Sequence, residues 1–136
     1  MSSDLRVEIE PDLRVRGHRQ LLAQALSNLL DNALKYAGSP AEITVSAYEH
    51  DGQVSLVVQD NGPGIPAQER EHVLAHFYRI DRKKRGNGLG LSIVAAFTQL
   101  HGGTLALEDA QPGLRVRLTL PAAHAITLPN GNFLIA

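Results

Sequence analysis

Three polar side chains fall on one stripe of an otherwise apolar segment. They are Asn28, Asn32 and Lys35, in the run Leu26-Ser27-Asn28-Leu29-Leu30-Asp31-Asn32-Ala33-Leu34-Lys35-Tyr36. Their spacing of i, i+4 and i+7 puts them on one helix face. Asparagine costs about 0.5 kcal/mol against alanine in a helix interior, so two on one stripe need a reason. A stripe of amides closing on a lysine suits something polar and anionic. Amide oxygens can also ligate Mg²⁺, which keeps waters and phosphate oxygens in its shell. A plainer use of part of the run is an Asp31–Lys35 pair along the helix surface.

A second set is Asp60-Asn61-Gly62-Pro63-Gly64-Ile65, directly after an apolar segment. A carboxylate fixed at a strand end accepts hydrogen bonds and does not donate them. Adenine presents an exocyclic amine to such a group, whereas guanine presents a carbonyl, so the aspartate favours adenine. Gly62 and Gly64 would let a flat ring approach the backbone. An ordinary Asx-type turn between strand and helix explains the same residues without a ligand. The third set is Gly86-Asn87-Gly88-Leu89-Gly90-Leu91, which runs into an apolar helix. Backbone N–H groups bared there form an anion site. No Lys-Ser/Thr follows and no strand precedes, so it is neither a P-loop nor a dinucleotide fingerprint. A flexible hinge is the alternative. Arg82-Lys83-Lys84-Arg85 lies just upstream, either as a solvated loop or as charge beside a polyphosphate.

The elements that must position these groups follow from periodicity. Leu5 to Glu10 alternates apolar and charged, as a half-buried strand does. A helix is expected from about Gly17 to Ala37, stopped by Gly38-Ser39-Pro40. Glu42 to Tyr48 alternates again, His50-Asp51-Gly52 turns, and Val54 to Gln59 reads as a central strand. A short helix over Ala67 to Ala75, a polar loop over His76 to Gly90 and an apolar helix over Leu89 to Leu100 come next. Thr104 to Glu108 and Leu114 to Leu120 make a final hairpin. The expected fold class is α+β: a two-layer sandwich with a mixed, mostly antiparallel sheet of about five strands, covered on one face by three helices. The domain is expected over residues 1–120, with a tail over 121–136.

Composition narrows the classes. The chain has 136 residues, 43% of them apolar and 20% charged, which suits one globular domain. A net charge of −1 offers no general attraction to nucleic acid or to an anionic membrane, so an anion site must be local. With no cysteine there are no disulfides and no thiolate metal sites. No apolar run approaches the roughly 20 residues of a membrane span.

In these motifs the chain resembles the catalytic, ATP-binding domain of sensor histidine kinases, a family with the Bergerat (GHKL) fold that it shares with gyrase, Hsp90 and MutL. The resemblance runs from about Leu5 to Leu120. Asn28 to Tyr36 is similar to the N box, Asp60 to Ile65 to the first glycine box, Phe77-Tyr78-Arg79 to the F box, and Gly86 to Leu91 to the second glycine box. The four stand in the family order. The resemblance implies ATP and Mg²⁺ as ligands. It makes Asn32 the main metal ligand with Asn28 in support, and brings Lys35 to the phosphates. It packs Tyr36 near an adenine whose amine meets Asp60. Arg79 would reach the terminal phosphate, Gly88 and Gly90 would give N–H groups to the phosphates, and Phe77 would anchor a mobile lid. Gly62, Gly64, Ile65, Gly86, Leu89 and Leu91 complete the nucleotide-binding set. Asn28, Lys35 and Arg79 are the expected catalytic residues.

Hydrolases of this fold resemble one another in carrying glutamate four residues before the metal-binding asparagine. Here that residue is Asn28, a poor general base, whereas an attacking imidazole needs no activated water. The implied function is transfer of the γ-phosphate to a histidine on a separate dimerisation domain. A GHKL-type ATPase or a regulatory nucleotide-binding module is the alternative. The lid from Arg79 to Gly86 is shorter than is common in the family. None of His18, His50, His72, His76, His101 or His124 has the context of a phosphoacceptor, so these are expected at the surface or in packing. The implied partners are a phosphoacceptor domain, expected in the same full-length protein, and, indirectly, a response regulator. Nucleic acid and membrane contact are not expected. The isolated domain is expected to be monomeric, cytoplasmic and cut from a parent that can be membrane-anchored.

Overall fold

The computed structural model describes residues 4–78, 89–123, 125–127 and 133–135, with backbone alone for 76–78, 89–91 and the last two segments. The elements are β1 (Asp4–Ile9), α1 (Arg19–Tyr36), β2 (Glu42–His50), β3 (Gln53–Gln59), α2 (Ala67–Tyr78), α3 (Leu89–Leu100), β4 (Thr104–Asp109), β5 (Leu114–Pro121), β6 (Ala125–Thr127) and β7 (Phe133–Ile135). Five strands form one sheet in the order β1-β2-β3-β5-β4, and β6 pairs with β7 in a separate ribbon.

The apolar β3 takes the middle of the sheet, as its composition demands. Val54, Val57 and Val58 are buried, and β3 pairs antiparallel with both β2 and β5. The β2–β3 turn is tight because Asp51 (φ 52°) and Gly52 (φ 77°) both take the left-handed conformation of a primed hairpin turn. Only β1 runs parallel to its neighbour, with Leu5 opposite Ile43 and Ile9 opposite Ala47. The long α1 between β1 and β2 makes that parallel crossover possible.

The helices pack on one face of the sheet. Ala25, Leu29 and Ala33 give α1 its buried stripe, at i, i+4 and i+8. They meet Val94, Ala95 and Phe97 of α3 and the sheet residues Ile43, Val58, Val116, Leu118 and Leu120 in one core cluster. Each large side chain buried here stabilises the fold by about 1.5–3 kcal/mol relative to exposure. Thr98, fully buried in α3, satisfies its hydroxyl on the Val94 carbonyl at 2.7 Å.

His18 is the N-cap of α1: its Nδ1 accepts from the Leu21 N–H at 3.4 Å, so the helix starts at Arg19 rather than Gly17. His101 stacks on Phe97 with ring centroids 4.0 Å apart, and its Nε2 accepts from the His18 N–H at 3.3 Å. Both histidines are packing and capping groups.

One expectation needs correction. His76, Phe77 and Tyr78 are not loop: α2 continues to Tyr78, since nothing in Ala67–Tyr78 interrupts a helix. Beyond Pro121, Ala125–Thr127 pairs antiparallel with Phe133–Ile135. Before that ribbon the chain is tied down: Ala122 forms a bridge with Val15, and the Ala123 N–H donates to the Arg14 carbonyl at 2.7 Å.

Candidate nucleotide site

Asp60 follows the last residue of β3 and is 5% exposed. Its Oδ1 accepts from the backbone N–H of Gly62 at 2.8 Å and of Leu114 at 3.2 Å. Its own N–H donates to the Leu114 carbonyl at 3.0 Å. The carboxylate is thus locked by two backbone donors on one oxygen. Among the described residues none donates to Oδ2.

The turn beyond is crowded for a physical reason. A Cβ on Gly62 would stand 1.9 Å from the Tyr36 carbonyl oxygen, so the last turn of α1 lies directly on this glycine. Gly64 holds φ at +73°, where a side chain is strained, and a Cβ there would meet the Gly113 carbonyl at 2.8 Å. The Ile65 carbonyl accepts from Arg70 Nε at 3.0 Å, which ties the turn to the first turns of α2.

Asn28 and Asn32 lie one turn apart on α1, both half-buried, while Lys35 and Tyr36 at its end are exposed. Lys35 Nζ stands 5.4 Å from the centre of the Tyr36 ring. Among the described residues it makes no ion pair with Asp31, so the surface-pair account of this lysine does not hold. No cluster of three or more His, Cys, Asp or Glu among the described residues could hold a metal ion. A cation at this face would take the asparagine amide oxygens, waters and ligand phosphates. That is a hard-oxygen set and suits Mg²⁺. The structure therefore brings the asparagine–lysine helix and the Asp60 turn together through the contact of Tyr36 with Gly62.

Other expected residues cannot be placed in the same detail. Arg79, Gly86, Gly88 and the basic run 82–85 lie outside the described residues. Leu89, Gly90 and Leu91 are the first residues of α3, and Phe77 lies in the last turn of α2.

Three residues escaped the sequence reading. Gly113, at φ +106°, carries no room for a Cβ, which would meet the Asp60 carbonyl oxygen at 1.9 Å. Leu114 supplies one of the two donors to Asp60. Asn61 accepts at Oδ1 from the N–H groups of Gly38 (2.9 Å) and Glu42 (3.0 Å), and donates from Nδ2 to the Pro40 carbonyl (3.0 Å). The asparagine in the turn was visible as a letter. Its partners, 19 to 23 residues away, were not.

Comparison with known proteins places the chain in a family. The family described as histidine kinase-, DNA gyrase B-, and HSP90-like ATPase matches residues 17–124. The sensor protein kinase CarS of Pseudomonas aeruginosa is 44% identical over 112 residues, 82% of this chain and 25% of CarS. Among solved structures, the mycobacterial sensor histidine kinase MprB has a TM-score of 0.75 at 37% identity, covering 88% of this chain and 81% of that one. Full-length ShkA in complex with AMPPNP has a TM-score of 0.73 at 25% identity, covering 88% of this chain and 25% of that one. The chain spans about a quarter of the length of CarS.

Proposed function

The chain belongs to the histidine kinase-, DNA gyrase B-, and HSP90-like ATPase family as a sensor histidine kinase catalytic domain, and we propose from that premise that it binds Mg-ATP and delivers the γ-phosphate to a histidine of a separate helical domain. The observation that carries the nucleotide reading is Asp60, anchored through Oδ1, with no donor to Oδ2 among the described residues, beside two close-packed glycines. A ring amine fits that oxygen. The relative solved with AMPPNP shares the fold, which supports the same class of ligand here.

Asn32, supported by Asn28, would hold Mg²⁺, and the ion would offset phosphate charge. Lys35 would steer the phosphate chain, and Arg79 would meet the terminal phosphate. Tyr36 would flank the adenine, with Ile65 beside it. Gly86, Gly88, Leu89, Gly90 and Leu91 would close on the phosphates from the start of α3, and Phe77 would anchor that lid. Catalysis would rest on alignment and charge stabilisation, with little covalent chemistry from the domain itself. Asn28 favours transfer over hydrolysis, because an amide cannot take a proton from water as a glutamate can.

The acceptor would be a dimerisation and phosphotransfer domain of the same full-length protein, and a response regulator would receive the phosphate later. We assign residues 1–120 to the catalytic domain and 121–136 to a tail, and place the domain in the cytoplasm of its parent. Among the described residues no helix is long and apolar enough to cross a membrane. The test is to incubate the chain with γ-labelled ATP, with and without a cognate phosphoacceptor hairpin. Acid-labile label on the hairpin's histidine is the expected result. Rapid phosphate release without any acceptor would replace the kinase reading with a hydrolase.

A further inference from the structure

The side chain of Asn61 links two parts of the site that the backbone joins only through a long detour. Its Oδ1 accepts from Gly38 N–H at 2.9 Å and Glu42 N–H at 3.0 Å, and its Nδ2 donates to the Pro40 carbonyl at 3.0 Å. Three of its hydrogen-bonding sites are therefore spent on the short connection between α1 and β2. That connection begins directly after Lys35 and Tyr36. The neighbouring glycine completes the clamp, since Gly62 has the Tyr36 carbonyl oxygen 1.9 Å from where a Cβ would be. A Cβ on Gly38 would in turn meet the Asn61 carbonyl oxygen at 2.9 Å and its Nδ2 at 3.0 Å. The end of α1 and the turn after β3 thus meet in two places, one a steric contact and one a set of three hydrogen bonds.

We propose that Asn61 is a positioning residue that sets the separation between the Asp60 carboxylate and the Asn32–Lys35 end of α1. It makes the two act as one site for a ligand long enough to touch both. This rests on the nucleotide reading above. Asn61 touches no part of the ligand in this account; it acts by holding Gly38, Pro40 and Glu42. A ligand that engages only the Asp60 side does not feel the separation. A nucleoside triphosphate spans it and does.

The distinction makes the inference testable on the full chain, by NMR titration of a non-hydrolysable ATP analogue with Mg²⁺ and, separately, of adenosine. For Asn61→Ala the analogue is expected to bind about tenfold more weakly, while adenosine changes less than about threefold. The amide signals of Gly38 and Glu42 should shift in the free protein, as they lose their acceptor. Asn61→Asp keeps both acceptor bonds but replaces the donor to Pro40 with a carboxylate oxygen facing that carbonyl, so it too should weaken the analogue more than adenosine. It also serves as the deciding variant should the alanine form not fold. Equal weakening of both ligands, or no weakening of the analogue in the folded variants, overturns the proposal. A wild type that binds neither ligand overturns the nucleotide reading itself, and this proposal with it.

Discussion

At the scale of single residues, Asp60 spends one carboxylate oxygen on structure. Oδ1 of Asp60 holds Gly62 and Leu114 N–H groups, which fixes the direction of the whole carboxyl plane. Such preorganisation lowers the cost of ordering on binding. It also makes one substitution especially informative. In Asp60→Asn the amide oxygen can keep both backbone bonds, while the NH₂ group replaces Oδ2 and faces the adenine amine, donor against donor. The fold should persist, with melting within a few degrees of wild type, and affinity for an ATP analogue should fall by at least about tenfold. Calorimetric titration checks it, and unchanged affinity would remove Asp60 from adenine recognition. The position of the aspartate was legible in the sequence because the apolar run of β3 ends at it. The roles of Gly113 and Leu114 were not legible, since they come from across the sheet through the pairing of β3 with β5.

At the scale of elements, legibility followed the strength of the local signal. The helix α1 was readable because its apolar stripe is regular and Gly38-Ser39-Pro40 halts it. The end of α2 was not legible, because the polar residues that follow suggest a loop while His76, Phe77 and Tyr78 contain no helix breaker. Turns show the same contrast between letter and contact. Gly52 and Gly113 both have positive φ, at 77° and 106°, and look alike in sequence. Nothing lies within 4 Å of a Cβ on Gly52, so Gly52→Ala should cost only the left-handed strain, about 1 kcal/mol. Gly113→Ala adds a collision with the Asp60 carbonyl and should cost at least about 2–3 kcal/mol. It should also disturb nucleotide binding by displacing Asp60. Chemical denaturation of the two variants measures the difference, and equal losses would mean the β4–β5 turn yields freely.

At the scale of the whole molecule, the sheet has a dry face under the helices and a polar face opposite. On the polar face Arg115 Nε donates to Gln59 at 2.9 Å, and Arg117 donates to Glu108 at 3.2 Å and to the Tyr48 hydroxyl. The bond to Glu108, and after it the one to Tyr48, raises the Arg117 pKa above the usual guanidinium value. A raised cation pKa contributes stability at every pH below the unfolded value and loses it only as pH rises through the folded one. The Arg117 guanidinium therefore keeps its charge across the neutral range. The network's worth is about 0.2–1 kcal/mol per pair, as for other largely superficial ion pairs.

The parallel strand β1 has a consequence of a different kind. Leu5, Val7 and Ile9 point to the same side as the buried Ile43 and Ala47, yet are 57–61% exposed, and β1 is the outermost strand. The family match begins at residue 17 and leaves this strand out. Its alternate positions carry Arg6 and Glu8, charges that discourage another sheet from adding to that border. Deleting residues 4–10 would bare the flank of β2, whose corresponding positions are the uncharged Thr44 and Ser46. The shortened protein should self-associate in a concentration-dependent way in sedimentation experiments, and a strictly monomeric deletion would refute it. The first strand, outside the family match, would then be the molecule's guard against polymerising through its own backbone.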